Sequence, residues 1–270
     1  METRSRIAFI GGGNMASAIL GGLIRSGMPP GSFLVVEPHE PQRAHLRSQW
    51  GIEALAQADA SLAGASMVVW AVKPQAFAEA AAACAGQVAA ALQLSIMAGV
   101  RCASLVQASG SERVVRAMPN TPALIGRGIA GLYAMPAVST AECLRVEQVL
   151  APTGNCIWVT RESDLDAVTA LSGSGPAYVF YVIEAMVQAG TQMGLSAETA
   201  RQLAQETIAG AAALAMQSSE SPATLRERVT SKGGTTHAAI SVLEACGVRE
   251  AFVKALMAAR DRAEELGRPD

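Results

Sequence analysis

The chain has 270 residues, half of them hydrophobic, with 16% charged and 4% aromatic, a composition that excludes a disordered or solvating role and suits one large or two modest folded domains. Its 21 Lys and Arg against 23 Asp and Glu leave a net charge of −2, which gives no basic field for holding a nucleic-acid backbone. Cys84, Cys102, Cys143, Cys156 and Cys246 are odd in number, widely spaced and without a CxxC pair, pointing away from a disulfide framework or a zinc site and toward a reducing cytoplasm.

The opening METRSRIAFIGGG has only a short apolar run before its glycines, too little for a signal-peptide core. Residues 6–10 (RIAFI) predict a strand, Gly11-Gly12-Gly13 a tight turn, and Asn14 to Arg25 a helix. Phe33 to Val36 predicts the second strand, closed by Glu37-Pro38. Apolar runs at Met67–Val72, Leu94–Met97 and Val114–Met118 alternate with helical stretches, the pattern of a parallel sheet covered on both faces. Ala80 to Val100 carries no charge, which raises a membrane span, but its alanines together with Gly86, Gln87 and Gln93 argue for a globular segment and no membrane.

After about Asp164 the strand signals stop. The expected organisation is an α/β Rossmann domain with a mostly parallel, doubly wound sheet over residues 1–163, followed by an all-α domain over 164–270. Val179, Val182, Ile183, Met186 and Met193 lie near helical spacing, and Phe180 with Tyr181 makes that helix apolar on more than one side, so neighbours must bury it. Ser196 is a cap for a helix to about Gln217, Ser221-Pro222 opens another, and Gly247 and Gly267 stand where helices end. With so few charges to cover its surface, the chain is expected to associate with copies of itself.

Gly11-x-Gly13-x-x-Ala16 between strand and helix has the spacing of a dinucleotide fingerprint. Glu37 stands near the place where an acid bonds the adenosine ribose and favours NAD, whereas Arg43 and Arg47 are within reach of a 2′-phosphate, so NAD and NADP both stay open. Ala71-Val72-Lys73-Pro74 ends a strand, where Lys73 is either a cofactor neighbour or an ordinary solvated lysine. In Met118-Pro119-Asn120-Thr121-Pro122 the prolines present Asn120 rigidly, as a ligand contact or simply as part of a turn. Leu171 to Tyr178 is rich in small residues and reads as helix packing.

Thr230-Ser231-Lys232-Gly233-Gly234-Thr235-Thr236 opens a further helix and reads as an anion-binding start, with a plain capped turn as the alternative. Its N–H groups suit a small carboxylate, Lys232 adds charge, and Thr235 and Thr236 offer hydroxyls. His237 has no partner at a recognisable spacing and is given no catalytic role, and His39 and His45 make no metal constellation. No metal is expected.

Together, IGGGNMA at 10–16, AVKP at 71–74, MPNTP at 118–122, LSGSGPAY at 171–178 and TSKGGTT at 230–236 give a chain that resembles the pyrroline-5-carboxylate reductases over nearly its whole length. The resemblance implies reduction of the cyclic imine 1-pyrroline-5-carboxylate to L-proline by NADPH, or by NADH, as the last step of proline biosynthesis. It implies a Rossmann domain followed by a helical dimerisation domain, a homodimer, and dimers assembled into a decamer. It assigns the pyrophosphate to Ile10, Gly11, Gly12, Gly13, Asn14 and Met15, and the nicotinamide-ribose side to Ala71, Val72, Lys73 and Pro74. Ile96, Met97 and Ala98 lie close by, and Glu37 and Asn120 complete the cofactor set. The substrate carboxylate falls to Gly233, Gly234 and Thr235, and the ring nitrogen to Thr236, the residue expected to be catalytic. Because helices of two subunits interlace in the family, an isolated monomer is expected to be inactive.

Departures from the family pattern are Lys232 in place of a common proline, Ser219 followed by Glu220 where a glutamate is common, and Ala58 in place of an asparagine. Two rivals are a β-hydroxyacid dehydrogenase, whose helical lysine is missing from Pro176–Phe180, and a nonenzymatic dinucleotide-binding protein that only dimerises.

Overall fold

The computed structural model describes residues 6–268. These divide into two compact units, one formed by residues up to Ser174 together with those from Ala259 onward, the other by Gly175–Ala258.

In the first unit, apolar runs form β1 (Arg6–Ile10), β2 (Phe33–Val36), β3 (Ala65–Trp70), β4 (Leu92–Ser95) and β5 (Val114–Met118), joined by β6 (Gly128–Ala134) and β7 (Gly154–Trp158). The seven strands lie in the order β2-β1-β3-β4-β5-β6-β7, and every neighbouring pair is parallel except β5 with β6. Outside β2, Leu55 makes a single parallel bridge to Val36, a rudimentary further strand. The chain thus winds outward from β1 through β2 to Leu55, then crosses back to β3 on the other side of β1. That reversal opens a crevice beyond the carboxyl ends of β1 and β3, the place where open α/β sheets take ligands.

The sheet core is apolar on both faces, as parallel strands require. Helices α1 (Asn14–Arg25), α2 (Glu40–Trp50) and α5 (Thr140–Leu150) pack on one face, burying Ile19, Leu20, Leu46 and Leu150 against Phe9, Val69 and Leu94. Helices α3 (Phe77–Ala83) and α4 (Cys102–Ser109) cover the other, with Phe77 and Leu105 packed on Val68 and Trp70. A short α6 (Asp164–Val168) runs directly into a π-helical turn at Thr169–Gly173.

The strands end two residues earlier than expected at Trp70 and Ser95, which leaves Ala71 to Lys73 and Ile96 to Ala98 as loops at the crevice, with Pro74 opening a single 3-10 turn. β6 and β7 lie outside the sequence expectation. β6 lacks a strand's usual branched residues at two positions where neighbours press on it: a Cβ at Gly131 would sit 2.7 Å from a Val168 methyl, and one at Gly128 2.8 Å from the Thr153 carbonyl oxygen. β7 is an edge strand with little apolar burial to mark it. The uncharged stretch Ala80 to Val100 is the end of α3, a turn and β4. Among the described residues no helix is long and apolar enough to cross a membrane.

The second unit holds α7 (Gly175–Gln192), α8 (Ala197–Gln217), α9 (Pro222–Arg228), α10 (Thr235–Ala245) and α11 (Val248–Leu266) as far as Ala258. The Ser196 and Ser221 hydroxyls cap α8 and α9 by accepting from Thr199 and Thr224 N–H, and Pro222 takes the first helical position, as the sequence led one to expect. Where α7 meets α8, a Cβ on Gly190 would lie 2.8 Å from that of Ala200. Tyr178 and Phe252 meet edge to face at 6.0 Å. The expectation that neighbours bury α7 is not met within the chain: Phe180 is 59% exposed, Tyr181 73% and Met193 76%. Exposed apolar area on this scale marks an association surface.

Buried and half-buried polar side chains tie the first unit together. Gln93 on β4 is fully buried; its Oε1 accepts from Trp70 Nε1 at 2.9 Å and its Nε2 donates to the Val88 and Ala91 carbonyls. Glu162 accepts from Arg116 Nη1 and from the Cys102 N–H, both at 2.7 Å. Burial pushes the Glu162 carboxyl up, but the Cys102 N–H and the Arg116 guanidinium outweigh it and hold the group below its usual value of 4.5. Arg101 pairs with the buried Asp166 at 2.9 Å and donates to the Gly267 carbonyl, drawing in the end of α11.

Gln93→Leu keeps the volume but orphans the Trp70 N–H and takes one of two donors from each of the Val88 and Ala91 carbonyls, so urea unfolding should show a loss of about 1–3 kcal/mol. A carboxyl held low in the folded state contributes stability that is present above its unfolded value and lost as pH falls through the folded one. Wild-type stability should therefore decline on acidification below pH 4.5, and Glu162→Gln should show a shallower decline over that range in unfolding titrations at a series of pH values.

Candidate functional site

The crevice is built on glycine. Gly11 has φ +99°, a left-handed value that side chains resist, and a Cβ there would lie 2.7 Å from the Ala71 carbonyl oxygen. Its N–H donates to the Val36 carbonyl, while the Ala71 N–H donates to Ile10, so the ends of β2, β1 and β3 are laced together around the turn. Gly12 is pressed from the other side, where a Cβ would meet Leu46 at 2.7 Å. Gly13 differs: it is exposed, a Cβ there meets nothing within 4 Å, and it begins α1 with no side chain capping the first turn. Asn14 beside it is exposed and Met15 half-buried. Open space above free N–H groups at a helix start is the cradle that a diphosphate requires, so these residues fit a dinucleotide.

Glu37, at the end of β2, is buried. Its Oε2 accepts the Gly12 N–H and its Oε1 the His39 N–H, each at 2.9 Å. Arg43 turns back onto the same bend, with Nη1 donating to the Glu37 and Pro38 carbonyls and Nη2 paired with Glu40. Arg47 pairs with Glu53 at the surface. The Gly12 carbonyl is held in turn by Gln42 and by the Ser17 hydroxyl. Neither residue figured in the sequence reading; the signal available was only that both lie within a turn or two of a helix start facing the glycines.

The other candidates follow the next strands in order. Lys73 and Pro74 are exposed after β3, with Ala71 and Val72 half-buried. After β4, the Ile96 N–H donates to the Trp70 carbonyl and the Met97 N–H to Ser95 Oγ, and Ala98 is exposed. Asn120, after β5, is engaged at both ends of its amide: Oδ1 accepts the Ile129 N–H at 3.0 Å and Nδ2 donates to the Ser172 carbonyl at 3.2 Å. The structure therefore aligns Ile10–Met15, Glu37, Ala71–Pro74, Ile96–Ala98 and Asn120 along adjoining strand ends, with Glu37 and Asn120 committed to backbone partners. Cys102 lies next to the Glu162 carboxylate, and burial first, then that charge, pushes its thiol up to about 12.

The remaining candidates lie in the second unit. Gly233 has φ +76°, and Gly234 begins α10 with no side-chain cap, its N–H donating to the Ser231 carbonyl at 3.0 Å. Thr235 is exposed and Thr236 half-buried in the first turn, flanked by exposed Lys232 and His237. This is a second helix start offering N–H groups to an anion.

Residues 6–99 match the family model described as NADP oxidoreductase coenzyme F420-dependent, and residues 162–266 the model described as pyrroline-5-carboxylate reductase dimerisation. A pyrroline-5-carboxylate reductase of Pseudomonas aeruginosa is 45% identical over 263 residues, covering 97% of this chain and 96% of that protein. A solved pyrroline-5-carboxylate reductase from Coxiella burnetii is similar at TM-score 0.90 and 38% identity, covering 99% of this chain and 100% of that one. A Plasmodium falciparum pyrroline carboxylate reductase solved with NADP bound reaches TM-score 0.87 at 26% identity, with the same coverage.

The glycines should separate cleanly by experiment. Gly11→Ala strains the backbone against Ala71 and should cost roughly 2–4 kcal/mol of stability in the ligand-free protein. Gly13→Val, facing open space, should change ligand-free stability by no more than about 1 kcal/mol yet abolish NADPH binding, read by thermal unfolding and fluorescence titration on the same samples.

Proposed function

The chain belongs to the pyrroline-5-carboxylate reductase family, and from this premise we propose that it reduces 1-pyrroline-5-carboxylate to L-proline, with NADPH as hydride donor. The observation that carries the site assignment is the pair of uncapped glycine-led helix starts, one at Gly13 and one at Gly234: the reaction needs one grip for a diphosphate and one for a small carboxylate.

The dinucleotide, when bound, supplies the hydride. The first turn of α1, with Ile10 to Met15, holds its diphosphate, while Ala71–Pro74 and Ile96–Ala98 line the nicotinamide side. Asn120 secures the adjoining loop through Ile129 and Ser172. The N–H groups of Gly233 and Thr235 grip the substrate carboxylate, with Gly234, whose own N–H is spent on the Ser231 carbonyl, keeping the loop between them free of a side chain, and Lys232 adds a positive charge beside them. The product requires a hydride on the imine carbon and a proton on the ring nitrogen. A substrate that arrives protonated is the better hydride acceptor, and the Thr236 hydroxyl accepts a hydrogen bond from that N–H. No acid–base pair is needed, because alignment of two bound partners alone is worth about 7–11 kcal/mol in favourable cases.

The division of labour assigns dinucleotide binding to residues 1–163 and dimerisation with substrate binding to 164–270. A homodimer covers the apolar residues that α7 exposes, and five such dimers make the proposed decamer. The cytoplasm is the proposed compartment, in keeping with the free thiols at all five cysteines.

Thr236→Ala should lower turnover by about 10- to 100-fold, the worth of a hydrogen bond to a charged group, and leave NADPH affinity unaltered. NADPH and NADH consumption is followed by absorbance with 1-pyrroline-5-carboxylate, beside a simple hydroxyacid as control. Undiminished turnover in the variant removes Thr236 from its role, and a wild-type protein that consumes neither dinucleotide with the imine overturns the function.

A further inference from the structure

We propose that Glu37 is a positioning residue that clasps the glycine turn, and that it takes no part in choosing between NADH and NADPH; the proposal rests on the dinucleotide reading above. An acid at the end of the second strand of a Rossmann domain ordinarily bonds the adenosine ribose hydroxyls and selects NAD. Here the residue is only 7% exposed. Its two carboxylate oxygens are divided between two backbone donors, Gly12 N–H on the glycine turn and His39 N–H at the start of α2. Its main chain is fixed as well, the N–H donating to the Leu55 carbonyl at 2.8 Å and the carbonyl accepting from Arg43 Nη1 at 3.0 Å.

The chemistry of the position calls for a carboxylate. Two N–H groups converge on it, so it must offer an acceptor to each. Glutamine brings one acceptor and one donor, and its NH₂ would face an N–H. Aspartate keeps both acceptors on a stem shorter by one methylene. Arg43 spends its guanidinium on main-chain carbonyls and on Glu40, so the two backbone dipoles are what compensate the Glu37 charge. With the carboxylate drawn beneath the turn, the surface beside the adenosine ribose loses the negative group that would repel a 2′-phosphate. The same clasp ties the β2–α2 bend to the diphosphate cradle, so both move together.

The test compares wild type with Glu37→Gln and Glu37→Asp. Dissociation constants for NADPH and NADH are measured by fluorescence titration, and amide hydrogen exchange at Gly12 and His39 is measured in the ligand-free protein. Glu37→Gln should weaken both dinucleotides by the same factor, about 10-fold, leaving their ratio as in wild type, and should lower protection at Gly12 and His39. Glu37→Asp, which keeps the charge, should show the same unchanged ratio and serves alone if the glutamine variant does not fold. Loss of NADH affinity with NADPH affinity kept or improved would make Glu37 a ribose ligand and overturn the proposal, as would unchanged exchange at Gly12. A wild-type protein that binds neither dinucleotide would overturn the functional reading instead, with the exchange measurement still deciding on the clasp.

Discussion

At Gly11 the main chain passes so close to the end of β3 that a Cβ would stand 2.7 Å from the Ala71 carbonyl oxygen. Much of the first unit follows from that approach. It brings the ends of β1 and β3 together at the point where the strand order reverses, and it turns the chain sharply enough for α1 to start directly above them. It also leaves Gly13 at the rim with empty space over it. A side chain at Gly11 would push the two strand ends apart and close the cradle before any ligand arrived.

Where the ladder of the sheet stops, backbone donors and acceptors are left over, and each must find a partner. In this protein buried and half-buried polar side chains take them up. Gln93 serves the Val88 and Ala91 carbonyls, Asn120 the Ile129 N–H and the Ser172 carbonyl, Glu162 the Cys102 N–H, and Glu37 the N–H groups of Gly12 and His39. Each sits at or near a strand end or its loop, and each bridges segments far apart in the chain. The loops of the crevice therefore derive their shape from side chains beneath them, which leaves the outward main-chain groups free for a ligand.

This arrangement explains what was legible in the sequence. The strands from β1 to β5 announce themselves by uniform apolar runs, and the caps at Ser196 and Ser221 by residue type. β6 was hidden because close packing against Val168 demands glycine where a strand pattern would show a branched residue, and β7 because an edge strand buries little. α5 carried a readable signal in Ser139 and Glu142, a reciprocal capping pair. Glu37 and Asn120 stand out in the sequence as polar residues at strand ends; what a linear pattern does not carry is the direction in which such a side chain turns, inward to backbone or outward to a ligand. The exposed flank of α7 shows the same limit, since its apolar residues demand cover without saying which molecule provides it.

Helix starts divide along the same line. α5, α8 and α9 begin on serines whose hydroxyls accept an N–H from the first turn. α1 and α10 begin on glycines with no side-chain cap. As an N-cap, glycine is only a few tenths of a kcal/mol poorer than serine, so the stability given up is small. What is gained is access, because a serine hydroxyl would occupy the N–H groups that an anion needs. A chain that caps α5, α8 and α9 with serine and places glycine at Gly13 and Gly234 keeps two helix starts clear of a capping side chain, where an anion can approach.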